Sequence, residues 1–197
     1  MSKRRGPNKE NLEETRLIFI EAAKKEFTEH GYTHASTNRI VEQSGMARGS
    51  LYYHFGDKNG LFRAVYKATL NDSLRLVSAH MDQQKSAWDA LLIGSEIFID
   101  LCAEKDFRKI VLIESQSALT YADRITIQQR TLLGKLQELL PELIKDGFFP
   151  GHTPMTIAVF IMGILAEIGR SFDLTDNPEQ VKALFKKAYV DTLKRFS

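Results

Sequence analysis

The sequence predicts an all-α protein of about nine helices, with a small N-terminal three-helix unit and a larger C-terminal helical domain. Apolar residues recur at the helical period throughout the 197 residues, and no alternating strand pattern lasts more than a few residues. Helix-capping residues precede the apolar runs. The 43% hydrophobic and 26% charged fractions are those of a soluble globular protein.

Local stop and start signals define the first four helices. Gly31 ends the first, because glycine readily adopts the left-handed conformation found after helix C-termini. Gly45 supplies the tight turn between the second and third helices, which have helix-turn-helix spacing. Asp57 is a good N-cap for the fourth, which joins the small unit to the larger domain. The expected bounds are about 12–30, 37–44, 48–55 and 57–81.

Five further helices are expected in the C-terminal part. Ser86 with Asp89 resembles a capping box and opens the fifth, which reaches about residue 104. Asp106 is expected to cap the sixth. The seventh, at about 120–145, is expected to bend or break near Pro141, which lacks a backbone N–H. The last two helices open on the pairs Thr153–Pro154 and Asn177–Pro178, and the ninth ends near Phe196.

Charge is unevenly distributed along a chain whose net charge is only +2. Residues 1–67 carry 12 basic and 8 acidic side chains, whereas residues 68–197 carry 15 and 17. A basic front end indicates a polyanionic partner. The single cysteine, Cys102, excludes an internal disulfide framework and fits a reducing cytoplasm. No secretory signal is recognisable, and the apolar run 155–166 is too short to cross a bilayer, so a cytoplasmic protein without a membrane partner is expected.

The stretch SGMARGSLYYHF, residues 44–55, gives the third helix one apolar side and one outward side. On a helical wheel Leu51 and Phe55 face the core. Arg48 projects from the first turn, where recognition helices contact base edges, and arginine can pair bidentately with guanine. The outward side also carries Gly49, Ser50, Tyr52 and Tyr53. This pattern predicts a helix that reads duplex DNA in the major groove.

The alternative interpretation is that Tyr52, Tyr53 and His54 are ordinary packing residues. Two outward tyrosines flanked by Arg48 and Lys58 are hard to explain as core, which favours DNA contact. His54 remains divided between packing and a phosphate contact.

The segment FTEHGYTHASTNRIVEQSGMARGSLYYHFGDKNGLFRAV, residues 27–65, resembles the DNA-binding domain of the tetracycline-repressor (TetR) family. The matching positions are Phe27, Gly31, Tyr32, Thr37, Ile40, Gly45, Gly49, Leu51, Tyr52, His54, Phe55, Lys58 and Leu61. The resemblance implies a homodimeric transcriptional regulator, of the repressor type, whose C-terminal domain binds a small effector. By position, it implies base contacts from Asn38, Arg48, Gly49 and Ser50, and phosphate contacts from Thr37, Tyr52, Tyr53 and Lys58, with His54 nearby.

Three positions depart from the family pattern. Val41 stands where alanine is usual, so the packing of the second helix is expected to differ. Ala47 lacks the hydroxyl that often caps the recognition helix, which weakens that cap by ~1 kcal/mol. Gly60 replaces a usual helix former and is expected to loosen the first turn of the fourth helix.

The predicted division is a DNA-binding domain at residues 1–56 and an effector-binding and dimerisation domain at residues 57–197. Within the first, residues 1–10 form a basic N-terminal arm, and SKRRGP resembles arms that enter an adjacent minor groove. A disordered solubilising tail is the alternative. A dimer with two recognition helices is expected to bind a pseudo-palindromic operator.

Catalytic and metal-binding patterns are absent from the sequence, so no enzymatic activity, cofactor or metal is expected. His30 and His34 have a metal-ligand spacing, but Gly31 ends the helix between them. Cys102 is interpreted as a small core residue. An enzyme such as a helical hydrolase and a helical protein-interaction module without DNA binding remain the alternatives.

The last two helices predict a homodimer. The stretch MTIAVFIMGILAEIG is apolar nearly all round, so one side must face its own core and the other a second apolar surface. Two helices from each subunit would form a four-helix bundle. A central helix in a monomer is the alternative, and Glu167 is expected to pair with Arg170. The predicted interface residues are Ala158, Ile161, Met162, Leu165, Val181, Leu184, Phe185 and Ala188.

Helices four to eight exceed what is needed to dimerise a small DNA-binding domain, which predicts a cavity between them. A few polar groups among bulky side chains suit a largely apolar ligand oriented by one or two hydrogen bonds. The alternative interpretation of each candidate lining residue is ordinary packing in the core. The candidate lining residues are Trp88, Phe98, Phe107, Tyr121, Arg124, Gln128 and Met162.

Overall fold

The computed structural model describes residues 9–195, and no strand occurs in that range. The first five helices are α1 Lys9–His34, α2 Thr37–Ser44, α3 Arg48–Phe55, α4 Lys58–Met81 and α5 Ala87–Ala103. Helix α6 has three successive segments, Lys105–Phe107, the π-helical Arg108–Glu114, and Ser115–Ala118. The remaining helices are α7 Tyr121–Gln128, α8 Leu132–Lys145, α9 Pro154–Ser171, with a 3₁₀ turn at Phe172–Leu174, and α10 Pro178–Leu193. Residues 1–8 of the predicted basic arm and the predicted helix end at Phe196 lie outside the described residues, whereas Lys9 and Glu10 of that arm belong to α1.

Capping side chains start the helices where the sequence predicts. Asp57 accepts a hydrogen bond from the Gly60 N–H at 2.7 Å, and Ser86 accepts one from the Asp89 N–H at 3.0 Å. Thr153 and Asn177 cap α9 and α10, each followed by a proline in the first turn. The predicted bounds of α2 and α3 are confirmed.

The predicted seventh helix is wrong, because two helices occupy its place. The chain leaves helical geometry at Thr131, whose hydroxyl donates to the carbonyls of Ile127 and Gln128 and so competes with helix continuation. Pro141 lies inside α8 without ending it, and its ring is on the exposed side of the helix. The described residues therefore form ten helices instead of nine.

Two smaller predictions about the helices also need correction. Helix α6 begins after Glu104, so Asp106 lies in its first turn and does not cap it. Gly31, with φ 69° and ψ 165°, interrupts α1, but the helix resumes for a few residues beyond it. The interruption lets the Tyr32 N–H donate to a carboxylate oxygen of Glu114 in α6 at 2.7 Å.

A continuous apolar core joins the two parts of the protein. In the N-terminal part the side chains of Phe27, Ile40, Leu51 and Phe62 are fully buried, and the rings of Phe27 and Phe62 meet edge-on at 5.0 Å. Burial of each such side chain stabilises the fold by about 1.5–3 kcal/mol. Helix α4 contributes to this core at its start and packs against α5 further along, so it connects the recognition helix with the C-terminal bundle.

Candidate DNA-reading surface and effector cavity

Helix α3 is fixed by its apolar side and exposes the other. Leu51 is fully buried, and the ring of Phe55 meets that of Phe19 edge-on with centroids 6.1 Å apart. The left-handed Gly45, at φ 65°, makes the turn that brings α2 to α3. The opposite side presents Arg48 and Tyr53, the latter 74% exposed. The predicted inward and outward sides of the helix are confirmed.

Three of the predicted contact residues, Thr37 at the start of α2 and Arg48 and Tyr52 on α3, form a cluster. The Arg48 guanidinium lies 5.7 Å from the centroid of the Tyr52 ring. Hydrogen bonding from Thr37, and then from Arg48, lowers the pKa of the Tyr52 hydroxyl. Ala47 makes no side-chain capping bond, as predicted, so no N-cap side chain satisfies the first N–H groups of α3. The cluster is rich in donors suited to phosphate or base edges.

Lys58 is already engaged within the protein. Its Nζ donates to the backbone carbonyls of Tyr32 at 2.9 Å, Thr33 at 3.2 Å and Ala35 at 3.3 Å. It therefore caps the end of α1, and a phosphate contact would have to share this ammonium group.

His54 packs against aromatic neighbours. Its ring lies 5.3 Å from that of Tyr53 and 5.9 Å from that of Phe55, and the residue is half-buried. This placement favours the packing interpretation. The other predicted contact residues remain accessible, because Asn38 and Gly49 are exposed and Ser50 is half-buried.

A buried ion pair that the sequence analysis missed locks α2 onto α1. The Glu26 carboxylate is fully buried and accepts hydrogen bonds from the Ser36 N–H at 2.8 Å and from Arg39 Nε at 2.9 Å. Burial alone would raise the pKa of Glu26, but the bonds from Arg39 and Ser36 lower it below its usual value. An acidic residue beside Phe27, three positions after the buried Ala23, was the available signal.

Gly60 lies in the first turn of α4 at a position with no room for a side chain, and the loosening of that turn stays a prediction. A Cβ at this position would lie 2.0 Å from the carbonyl oxygen of Phe55, which forbids any side chain without a backbone shift. Its N–H is also the one that Asp57 caps.

A cavity of about 230 Å³ lies between α4, α5, α6, α7, α8 and α9. Four of the seven predicted lining residues are confirmed in its wall: Phe98, Tyr121, Gln128 and Met162. A smaller void of about 50 Å³ adjoins it, because both are lined by Phe98, Leu132 and Met162.

The other three predicted lining residues are not part of the wall and have structural contacts of their own. Trp88 stacks on Phe148 with ring centroids 4.5 Å apart. Phe107 packs edge-on against Phe98 from behind the wall. Arg124 donates to the carbonyls of Ser115 and Leu119, at 3.2 and 2.8 Å, and so caps the end of α6.

The outer side of α9 and α10 is apolar, but its residues differ from those predicted. Ala158, Ile161 and Leu165 are at most 4% exposed and face the core of their own protomer, and Met162 lines the cavity. The assignments of Ala158, Ile161 and Leu165 to a subunit interface are wrong, because the buried stripe of α9 lies on their side of the helix; Met162 is half-buried, and its assignment stays a prediction. The exposed apolar side chains are instead Met155, Val159, Phe160 and Leu184.

The predictions for α10 and for the end of α9 agree better with the structure. Leu184 and Ala188 are exposed, while Val181 and Phe185 are half-buried, Phe185 against Phe172. Glu167 and Arg170 form the predicted ion pair at 2.7 Å.

By length and composition alone, Pro154–Leu174 could cross a membrane, with a mean hydropathy of 1.6. A third of that window is buried inside the protomer. Among residues 9–195 no group of three metal-ligating side chains occurs. Cys102 is buried, and burial raises the pKa of its thiol, so it is a core residue as predicted.

Two family models together match most of the chain. The model for bacterial regulatory proteins of the tetR family matches residues 19–65, and the model for a tetracyclin repressor-like C-terminal domain matches residues 88–195.

Curated relatives are similar over most of their length. The probable HTH-type transcriptional regulator ArpR of Pseudomonas putida is 35% identical over 199 residues, covering 93% of this chain and 91% of the relative. The HTH-type transcriptional repressor AcnR of Corynebacterium glutamicum is 29% identical over 150 residues, covering 68% of this chain and 79% of the relative.

Solved structures share the fold. A TetR-family transcriptional regulator from Pectobacterium atrosepticum superposes with a TM-score of 0.78 at 25% identity, covering 96% of this chain and 97% of the other. The regulator FadR from Bacillus subtilis, solved in complex with stearoyl-CoA, gives 0.80 at 19% identity, covering 90% and 96%. The second likeness shows the fold alone.

Proposed function

The chain belongs to the TetR family of bacterial transcriptional regulators, and we propose how this member reads DNA and how it is released. It is a DNA-binding transcriptional repressor controlled by a small molecule, and it is not an enzyme. We assign DNA binding to residues 1–56, with a basic arm at 1–10, and effector binding and dimerisation to residues 57–197. The cytoplasm is the proposed compartment, where the operator is accessible.

The single observation that carries the proposed DNA contact is the exposed side of α3. Arg48 stands at its first turn with Gly49 beside it, where no side chain keeps the backbone from a groove. We assign base reading to Arg48, Gly49, Ser50 and Asn38. Phosphate contacts are assigned to Thr37, Tyr52, Tyr53 and Lys58, with His54 nearby.

Two copies are proposed to join through the outer sides of α9 and α10. Met155, Val159 and Phe160 on α9 and Leu184 on α10 are large exposed apolar side chains, which a partner subunit would cover. Because a two-fold dimer presents two copies of α3, the operator is a pseudo-palindrome with half-site centres about 34–36 Å apart, or a multiple of that.

The proposed effector occupies the 230 Å³ cavity, whose wall is mostly apolar. We infer a ligand without phosphate groups, unlike the stearoyl-CoA of the Bacillus subtilis regulator, since no charged side chain lines this cavity. Its binding would favour a spacing of the two α3 helices that no longer fits the operator, with α4 connecting cavity and DNA.

Selection of bound duplexes from a random pool tests the proposal. The wild type should enrich an inverted repeat, and Arg48→Ala should lose ~1–3 kcal/mol of discrimination at one base pair in each half-site. Arg75→Ala is the matched control, because Arg75 is an exposed arginine on α4 that pairs only with Asp72 among the described residues. An unchanged sequence preference in Arg48→Ala would show that this arginine does not read a base.

A further inference from the structure

Helix α7 forms one wall of the cavity, and its side chains pack only weakly against the rest of the protein. None of its residues is buried. Tyr121, Ile125 and Gln128, spaced four and three residues apart, lie on one side of the helix and line the cavity. A bound molecule therefore contacts a helix that can adjust at little cost in buried apolar surface.

The same helix is tied by polar bonds to α4. Arg63 Nη1 donates to Asp123 at 2.7 Å, and Gln128 Nε2 donates to the Tyr66 hydroxyl at 2.8 Å. The Asn59 carboxamide donates to the Ala118 carbonyl just before α7. Because residues 59, 63 and 66 lie on one face of α4, these bonds form a row, which we call the α4–α7 seam.

Asp123 keeps the seam charged at all working pH values. Hydrogen bonds from Arg63 and then from Thr120 lower the pKa of Asp123 to about 2. The seam is thus a fixed polar connection between the cavity wall and the helix that leads to the DNA-reading surface.

Gln128 is the point where seam and cavity meet. It lines the cavity and bonds to Tyr66, which is fully buried on α4. Among residues 9–195, no other hydrogen bond of its carboxamide is seen. A carboxamide carries two N–H groups and a carbonyl, so at least one donor is left for a ligand.

The rest of the wall determines the charge of that ligand. No Asp, Glu, Lys, Arg or His lines the cavity, and the nearby Arg124 guanidinium is used on the carbonyls of Ser115 and Leu119. The Arg124 guanidinium lies behind the wall residue Tyr121, 5.9 Å from the centroid of its ring. Because no charged side chain lines the wall itself, an ion would give up hydration there without an ion-pair partner, whereas a neutral apolar molecule has little hydration to lose.

We propose that the cavity takes an uncharged, largely apolar molecule with one hydrogen-bond acceptor, such as a ketone or ester carbonyl, which the Gln128 amide binds. This deepens the proposed function, since it rests on control of operator binding by an effector. The ligand's acceptor is then joined through Gln128 and Tyr66 to α4.

The probe that tests this is Prodan, a neutral naphthalene ketone whose emission shifts to the red when its carbonyl accepts a hydrogen bond. Its anionic counterpart is 1-anilinonaphthalene-8-sulfonate, which has a similar ring system and a sulfonate. The full chain should bind Prodan with a red-shifted emission and bind the sulfonate at least tenfold more weakly. Equal affinity of the two dyes, with competition between them, would overturn the neutral-ligand assignment.

Three variants test whether Gln128 donates the hydrogen bond to the dye. Gln128→Leu should lower Prodan affinity about tenfold and abolish the red shift, whereas Gln129→Leu, an exposed neighbour outside the wall, should change neither. Tyr66→Phe removes the same seam bond but keeps the Gln128 amide, so the bound dye should stay red-shifted. If Tyr66→Phe behaved like Gln128→Leu, or if Gln128→Leu left the emission unchanged, Gln128 would not be the ligand donor.

Operator binding by the same preparations separates this inference from the proposed function. If the wild type binds the selected duplex sequence-specifically but the Prodan experiments do not give the expected results, only the proposed ligand class is overturned. If the wild type shows no sequence-specific binding to any duplex, the proposed function is overturned instead.

Discussion

Replacing Glu26 tests whether the buried ion pair holds the DNA-reading surface together. Glu26→Ala removes the acceptor for the Ser36 N–H and for Arg39. Breaking a buried pair costs about 3–5 kcal/mol when a buried charge is left behind. The Arg39 side chain is 45% exposed and can rehydrate, so we expect about 2–3 kcal/mol, the range of a hydrogen-bonded charge.

The assay is urea unfolding, monitored by circular dichroism. The protomer concentration is kept fixed, because the stability of a dimer depends on it. The variant should lower the midpoint without changing the slope. A shift worth less than about 1 kcal/mol at neutral pH would show that the pair does not hold α2 onto α1.

The sign of the pH dependence provides a second check on Glu26. The pKa of this carboxyl is lowered in the folded protein from its ordinary 4.5. Its contribution is therefore fully present above about pH 5 and is lost as the pH falls through the lowered value. The difference in stability between wild type and Glu26→Gln should shrink below pH 4.5. A difference that stayed constant from pH 7 to pH 3 would refute an ionised Glu26.

Three further changes have expected outcomes. Gly60→Ala should lower the thermal midpoint by an amount worth about 1–3 kcal/mol, because its Cβ meets the Phe55 carbonyl; an unchanged midpoint would contradict that clash. Lys58→Ala should reduce thermal stability as well as operator affinity, since it uncaps α1; a normal melting curve with weaker operator binding would indicate a phosphate contact alone. Leu184→Glu, at an exposed side chain outside the cavity, should dissociate the dimer in sedimentation; a variant that still sediments as a dimer would contradict an interface at α10.

Local signals in the sequence were sufficient to predict most of the helices and their order. A capping side chain and a glycine act on neighbouring backbone groups, so Asp57, Ser86 and Gly45 could be interpreted without knowing the rest of the structure. The recognition helix followed in the same way, because Leu51 and Phe55 alone determine which side of α3 faces outward.

Contacts between distant residues could not be predicted. The partners of Lys58 lie 23–26 residues away, and Gln128 lies 62 residues from Tyr66, so no spacing rule joins them. Helix α9 is apolar on both sides, and only the folded protomer shows that Ile161 faces its own core while Val159 faces outward. Pro141 was expected to bend or break the helix, but it lies inside α8, and the chain leaves helical geometry at Thr131 instead.

The most direct test of the account is the affinity of the protein for a selected operator whose two half-sites are moved apart. Insertion of five base pairs turns one half-site to the opposite face of the duplex, where the second α3 of a dimer cannot reach it. We predict two copies on the native spacing and a fall of at least tenfold in affinity after the insertion, to the level of a duplex with one scrambled half-site. Equal affinity for the native and the widened operator would contradict a dimer that reads DNA through paired α3 helices.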